Sequence, residues 1–459
     1  MLFASFLKSQ HPPRGQNNLM ASFFRVFRFL PLCVGVGYLA VTIVLFFAGP
    51  FDWPIDNSST MTLFLCASLV SICVGFTLGS VVSPPAGNFR AWRFFFRFGA
   101  LASIALLIPS TLAYTGKWPW EIGTALGDQG AAYREMLAAL DANESGIRPY
   151  VSLARAAFAP FIFCVIPFSI LNWEHLRRTD FALLLLHTLS IIVFSLMRGT
   201  DRETIDLLLI VGGTLFVRLG RLAVAQGRLP FSLSRATLVL LFSGVTLFGA
   251  LALFVDRKES RMGGNEAFCI GEQVVCSTRD ANQPPILAKG MFGLEMLTAY
   301  MSQGYYGLSL ALDAEFSWTY GLGHSAFLMS NVANTVDESL YHRSYMAKIN
   351  ASGWDDKAQW STIFPWIASD VSFPAVPFAM AIFAFVWGAA WKSSVLSRSD
   401  TGALVFLHSC ILVLYIPANN QLAQTLDSYF SAVFWLFFWL LGSKLIFSSH
   451  GARLQRGNN

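Results

Sequence analysis

Charge is what this chain has least of. Only 13% of its 459 residues are Asp, Glu, Lys or Arg, about half of the roughly 25% of an ordinary globular chain. Histidine and cysteine are also sparse, at seven copies each. There is no zinc-type Cys/His spacing, no P-loop and no DxD-like carboxylate pair near the other polar candidates, so neither a metal nor a cofactor is expected. No repeat of fixed period stands out, and no pair of Gly/Pro-broken helices of the transporter kind. These deficits exclude a cytosolic enzyme, a disordered chain, a single-anchor protein and a nucleic-acid binder. What is present is apolar: 54% hydrophobic residues, with 42 phenylalanines. They cluster into runs near 20 residues, the length that crosses a hydrocarbon core of ~30 Å. Continuous runs of this kind satisfy their backbone in lipid as helices. The expected fold is an all-α polytopic membrane protein.

Ten spans are expected, at 29–49, 61–83, 97–114, 153–172, 180–197, 204–221, 236–255, 374–391, 402–416 and 430–447, with room for twelve. No small-residue cleavage site follows the basic N-terminal segment, so the first span is read as permanent. The segments 1–28, 84–97, 173–180, 218–235, 392–400 and 444–459 hold 18 Lys/Arg against three acids, and the rest holds 14 against 24. The positive-inside rule puts this basic set, with both termini, in the cytoplasm. An even number of spans agrees. The net charge of +5 is therefore a topology signal. The organisation expected is an N-terminal bundle (1–255), a large periplasmic loop region with re-entrant or surface helices (256–373) and C-terminal transmembrane helices (374–459), in a bacterial inner membrane.

Five cysteines fall inside spans. Cys269 and Cys276 lie in the long outer loop as CIGEQVVC, where an oxidising compartment favours a local disulfide. Within the spans, His187 and His408 are the clearest ionisable groups, and a packing or hydrogen-bonding role is expected for each. The scarcity of mid-depth carboxylates argues against an ion-driven carrier. Function is therefore expected on the outer face. A short helix is expected in GDQGAAYREMLAALD, with Tyr133, Leu137 and Leu140 on one face, lying on the membrane.

The sharpest polar feature is SLMRGTDRETIDLL. Arg198 and Arg202 are the two basic residues of the three short outer loops, and both sit in this turn. Guanidinium forks beside a helix N-terminus suit a pyrophosphate; local pairing with Asp201, Glu203 and Asp206 is the alternative. In the long loop, KGMFGLEMLTAYMSQGYYGLSLALDAEF forms an apolar stretch from Met291 to Leu312. Its Glu295, Gln303 and glycines favour a re-entrant or surface helix over a span. FSWTYGLGHS then gathers Trp318, Tyr320 and His324. Aromatic faces with a polar handle suit a sugar, and Tyr305 and Tyr306 extend the same platform, with an interfacial aromatic belt as the alternative. SLYHRSY sets His342 beside Arg343, and Asp370 stands before the next span. Glycosyl transfer needs a base near a hydroxyl and positive charge near the departing phosphate. His324, His342, Glu203 and Asp370 are the candidate bases, and Arg343 joins Arg198 and Arg202 as a candidate for the pyrophosphate.

The motifs YMSQGYYGLSLAL (300–312), FSWTYGLGHS (316–325), WSTIFPWIASDVSFP (360–374) and IPANNQLAQ (416–424), with many spans broken by one late loop, resemble the O-antigen or oligosaccharide repeat-unit polymerases of the Wzy type. The resemblance implies transfer of a growing glycan from undecaprenyl pyrophosphate to a new lipid-linked repeat unit at the periplasmic face. Donor and acceptor are then both undecaprenyl-pyrophosphate-linked oligosaccharides, and a chain-length-regulating partner protein is left open. By analogy with the related ligases, Arg198, Arg202, Arg343 and either His324 or His342 take the pyrophosphate and base roles; Gln303, Tyr305, Tyr306, Trp318 and Tyr320 are the further substrate-binding candidates. An O-antigen ligase, a lipid-linked saccharide flippase and a noncatalytic membrane scaffold are the rival readings.

Overall fold

The computed structural model describes residues 27–82, 89–141, 146–227, 249, 252, 254–259, 268–277, 285–356 and 358–455. The bundle begins with α1 (Leu30–Ala48), α2 (Ser58–Val81) and α3 (Trp92–Thr115). Two short helices follow, α4 (Ile122–Gly127) and α5 (Gln129–Asp141), then α6 (Arg148–Leu171), α7 (Arg178–Met197) and α8 (Arg202–Gln226). A two-residue hairpin, β1 (Cys269–Ile270) and β2 (Val275–Cys276), precedes α9 (Pro285–Leu312). Next come α10 (Ala326–Thr335), α11 (Ser339–Arg343), α12 (Tyr345–Ala351) and α13 (Ile363–Val371). The chain closes with α14 (Val376–Val395), α15 (Asp400–Tyr415) and α16 (Leu426–Gln455).

Among the described residues, seven helices are long and apolar enough to cross a membrane: α1, α2, α3, α6, α7, α8 and the stretch Phe373–Val395 that contains α14. They coincide with seven of the ten expected spans. The expected spans 402–416 and 430–447 fall on the shorter apolar helices Asp400–Tyr415 and Leu426–Leu441. The expected span 236–255 lies almost wholly outside the described residues. Val41, Leu63, Leu185, Phe378 and Ile382 stand exposed on the long helices. An exposed apolar surface of that extent needs hydrocarbon to cover it. The protein is a multi-pass membrane protein.

Lipid gives helices no hydrophobic reason to associate, so close backbone approach has to hold them together. The α2–α14 pair does this through Gly75 and Gly79, four residues apart on α2, and Gly388 on α14. A Cβ on Gly75 would come within 2.1 Å of the Ala381 carbonyl oxygen, and one on Gly79 within 2.0 Å of that of Phe385. A Cβ on Gly388 would meet the Phe76 carbonyl oxygen at 2.3 Å. Phe76 packs edge-on against Trp387 across the same seam, centroids 4.8 Å apart.

The described parts of the basic segments flagged by the sequence are drawn together by ion pairs and carbonyl contacts at one end of the helices. There Asp180, fully buried, takes Arg97 at 2.7 Å. Arg221 bonds Asp400 at 3.0 Å together with the carbonyls of Ser394 and Ser399, and Lys392 caps the carbonyls at the end of α2. The other end is rich in loops. Helix α9 packs along α1, with the Tyr305 hydroxyl bonded to Thr42 at 2.8 Å, and Asn57 of the α1–α2 turn donates to the Ser309 carbonyl. A Cβ on Gly304 would meet the Pro417 carbonyl oxygen at 2.0 Å, so α9 lies directly against the turn that follows α15. The disulfide between Cys269 and Cys276 closes the hairpin, which sits over the Phe51–Trp53–Tyr306–Trp354 aromatic cluster, and Ser277 ties it to Glu295 of α9 at 2.7 Å. The expected short helix at 129–141 is present as α5; its protein-facing positions are Ala132 and Met136, and Leu137 is exposed.

Enlarging Gly79 to leucine must push α2 and α14 apart. Overpacking of this kind costs roughly 1–3 kcal/mol. The expected result is a clearly lowered Tm in detergent for Gly79→Leu, with Gly37→Leu, whose added Cβ meets nothing within 4 Å, close to wild type.

Candidate functional site

The turn SLMRGTDRE closes α7 and opens α8. Gly199 has φ +61°, the Gly199 amide bonds the Leu196 carbonyl, and the Thr200 amide reaches back to that of Ser195, which is a Schellman ending. A Cβ on Gly199 would also lie 2.6 Å from the Gln129 carbonyl oxygen and from the Tyr133 amide nitrogen of α5. Only glycine meets both the backbone sign and the clearance. The two arginines flanking this glycine are thereby fixed. Arg198 pairs with Glu203 and lies over the rings of Tyr114 and Phe194. Arg202 is 3.8 Å from Asp206. Arg155 of α6 bonds Asp427 at 3.3 Å, Arg257 pairs with Asp201, and Tyr415 is hydrogen-bonded to Asp206. Two atoms of this cluster, Arg198 Nε and Asp206 Oδ1, are buried and make no hydrogen bond.

A second constellation forms around Asp370. Its carboxylate accepts from the Thr319 hydroxyl at 2.5 Å, from the amides of Gly323 and His324 at 2.8 Å each, and from His324 Nδ1 at 2.9 Å. Burial works against the ionised form, but the bonds from the His324 ring, Thr319 and the two amides outweigh it and hold the carboxyl below the ordinary carboxylate range. An ionised carboxylate only accepts, so the neutral ring carries its proton on Nδ1. The free Nε2 then faces the Tyr429 hydroxyl at 3.2 Å. This is an oriented-base arrangement: a carboxylate fixes the tautomer of an imidazole whose other nitrogen is left to take a proton.

The segment 416–429 joins the two constellations. Asn420 and Gln421 are both buried. Asn420 Nδ2 donates to the His324 carbonyl at 2.7 Å. The next residue turns the other way: with its amide oxygen facing the guanidinium, Gln421 accepts from Arg202 Nε at 2.6 Å and Nη2 at 3.0 Å. Ser325 is tied to the Ala423 carbonyl at 2.8 Å. Two consecutive side chains thus couple the arginine turn to the His324–Asp370 pair.

The structure does not bring every sequence candidate here. Tyr305 and Tyr306 are core residues: Tyr305 contacts Phe46 and Thr42, and Tyr306 stacks on Trp53, so the expected platform with Trp318 is corrected. Gln303 is buried on α9. The carboxylate of Glu203 is occupied by Arg198 and by Thr200 at 2.9 Å, so it orients an arginine and is not a free base. His342 is exposed on α11, with its ring beside Tyr341. Arg343 joins Trp318 and Tyr320, not the other arginines. In the spans, His408 is satisfied by the Leu404 carbonyl and Ser431, while both ring nitrogens of buried His187 lack a partner. Sequence reasoning missed Arg155, Asn420, Gln421, Asp427 and Tyr429. For the last four the signal was a polar run, NNQLAQTLDSY, between two apolar helices. Among the described residues, no group of three or more His, Cys, Asp or Glu side chains is arranged to hold a metal ion. No family model, curated protein or solved structure matches the chain.

Two consequences can be measured. Gly199→Ala forces a left-handed residue with a side chain, roughly 1–2 kcal/mol, and adds the clash with α5; thermal unfolding should fall by several degrees, where an unchanged Tm would contradict the account of the turn. For Asp370, a lowered folded-state value means that its stabilising bonds are complete above the ordinary carboxylate value of about 4 and are lost as pH falls through the lowered one. Protection of the amides over 319–324, measured as exchange relative to the intrinsic rate at each pH, should fall on acidification in the wild type. In Asp370→Asn protection should be low throughout, with no acid step.

Proposed function

We propose that this chain is a membrane glycosyltransferase that extends lipid-linked oligosaccharides, polymerising undecaprenyl-pyrophosphate-linked repeat units at the periplasmic face of a bacterial inner membrane. The observation that carries this reading is the Asn420–Gln421 link, which ties an oriented His–Asp base to an arginine turn in one polar region at the loop-rich end. The resemblance of 316–325, 360–374 and 416–424 to the Wzy-type polymerases supports it, since those three stretches supply His324, Asp370 and the linking pair.

The chemistry is a substitution at the anomeric carbon. The acceptor sugar hydroxyl takes the place of the Tyr429 hydroxyl at His324 Nε2 and gives up its proton there as its oxygen bonds to the donor C1. Asp370 stabilises the imidazolium that forms. The C1–O bond to the carrier breaks, and the electron pair leaves on the pyrophosphate. Arg202 is the cation suited to meet that charge. Its nearest carboxylate oxygen is 3.8 Å away, and its closest bonds go to the neutral amide of Gln421. Arg198, held by Glu203, has a buried Nε without a partner that can add a second bond. A balanced set of arginines and carboxylates avoids a permanently naked positive site, and a diphosphate enters by exchanging with a carboxylate partner.

Purified protein incubated with a synthetic undecaprenyl-pyrophosphate oligosaccharide should give a ladder of products differing by one repeat. Arg202→Ala and His324→Ala should each lower turnover by about 10²-fold or more, the first as loss of a preorganised charge stabiliser and the second as loss of a general base. Normal chain lengths in either variant would reject these roles, and no ladder from wild-type protein would reject the polymerase reading.

A further inference from the structure

Residues 316–324 wrap Asp370 in an unusual way. Thr319, Gly323 and His324 all bond its carboxylate, which anchors the loop from inside. Trp318 and Tyr320, on either side of Thr319, remain 52% and 54% exposed. Their rings lie together, with centroids 4.7 Å apart and planes at 50°. Tyr320 holds φ +58°, a conformation that L side chains other than Asn and Asp seldom adopt. The adjoining Gly321, at φ +81°, would carry such a backbone at no steric cost. A strained tyrosine whose ring is then left exposed gains little from folding. Strain of this kind is retained where surrounding structure imposes it and tends to cluster at ligand sites. Arg343 completes the ledge: its guanidinium carbon lies 4.9 Å from the Tyr320 ring centroid, and its Nε donates to the Trp318 carbonyl at 2.7 Å.

From this we infer that Trp318, Tyr320 and Arg343 form a carbohydrate subsite that holds pyranose units of a glycan chain next to the His324–Asp370 pair. The surroundings distinguish it from a lipid-facing belt. Asp313, Glu315, Asp337 and Glu338 are all exposed around the ledge, and Lys348 bonds the Glu315 carbonyl and Ser317. Hydrocarbon would have to strip water from these charges. A pyranose offers an apolar C–H face to the two rings and hydroxyl oxygens to the arginine, which matches what the ledge presents. Thr319, between the two ring-bearing residues, bonds the same carboxylate as His324, so one loop holds both the ledge and the base. The inference deepens the transferase reading by naming where its glycan is held.

The test uses full-length protein in nanodiscs with 5-fluorotryptophan and the ¹⁹F signal of Trp318 assigned by Trp318→Phe. Soluble cellohexaose, as a neutral probe, and hyaluronan hexasaccharide, as an acidic one, are titrated in. A saturable shift of the Trp318 signal with at least one of them is expected, weakened roughly tenfold or more by Arg343→Ala. Tyr320→Gly keeps the backbone sign without its strain, so it should melt at or above the wild-type temperature while losing binding. Full binding by Tyr320→Gly, no shift with either sugar, or broadening of Trp318 by doxyl-labelled lipid would each overturn the subsite. Failure of the transferase reading is seen separately, as sugar binding at Trp318 by protein that yields no ladder from the lipid-linked substrate.

Discussion

An unpaired charge held among apolar helices is expensive, and the architecture of the loop-rich end follows from how that cost is met. Arg155, Arg198 and Arg257 each take a carboxylate, and Arg202 lies between Asp206 and the amide of Gln421. These partners come from α6, the α7–α8 turn, α8, residues 254–259 and the start of α16, so pairing the charges also decides which chain segments meet. Truncating one partner of a buried pair leaves the other uncompensated. Arg155–Asp427, Arg257–Asp201 and the Arg202–Gln421 contact therefore hold the register between segments distant in sequence, whatever their net contribution to stability.

The same logic applies at the opposite end, where Asp180 takes Arg97 and Asp400 takes Arg221. Between the two ends the chain relies on close approach. The glycines of α2 and α14 bring backbones together where apolar attraction between helices is absent. The disulfide hairpin and α9 then cover an aromatic cluster that would otherwise be open.

Much of the helix set was legible because a span announces itself by length and composition. The arginine turn was legible for a related reason: polar residues are conspicuous in an apolar chain. The Gly75–Gly79 spacing was present in the sequence but carries meaning only with its partner helix known. Tyr305 and Tyr306 misled because an aromatic that packs in a core and one that meets a ligand look alike in sequence. His324 and Asp370 were identified as separate candidate bases, but 46 residues separate them, and no local pattern shows that one orients the other. Asn420 and Gln421 stood out only as part of a polar motif, because their linking role, facing two different neighbours, is a property of the assembled fold.

The account depends on the arginine turn and the His324–Asp370 pair sharing one site. Photo-crosslinking with an undecaprenyl-pyrophosphate oligosaccharide, carrying one reactive group beside the diphosphate and another on the first sugar, measures this directly. The account predicts that the diphosphate label falls on peptides spanning 198–206 and the sugar label on those spanning 318–324 or 429. Labels on neither pair of regions, or both labels confined to the apolar helix faces, would contradict it.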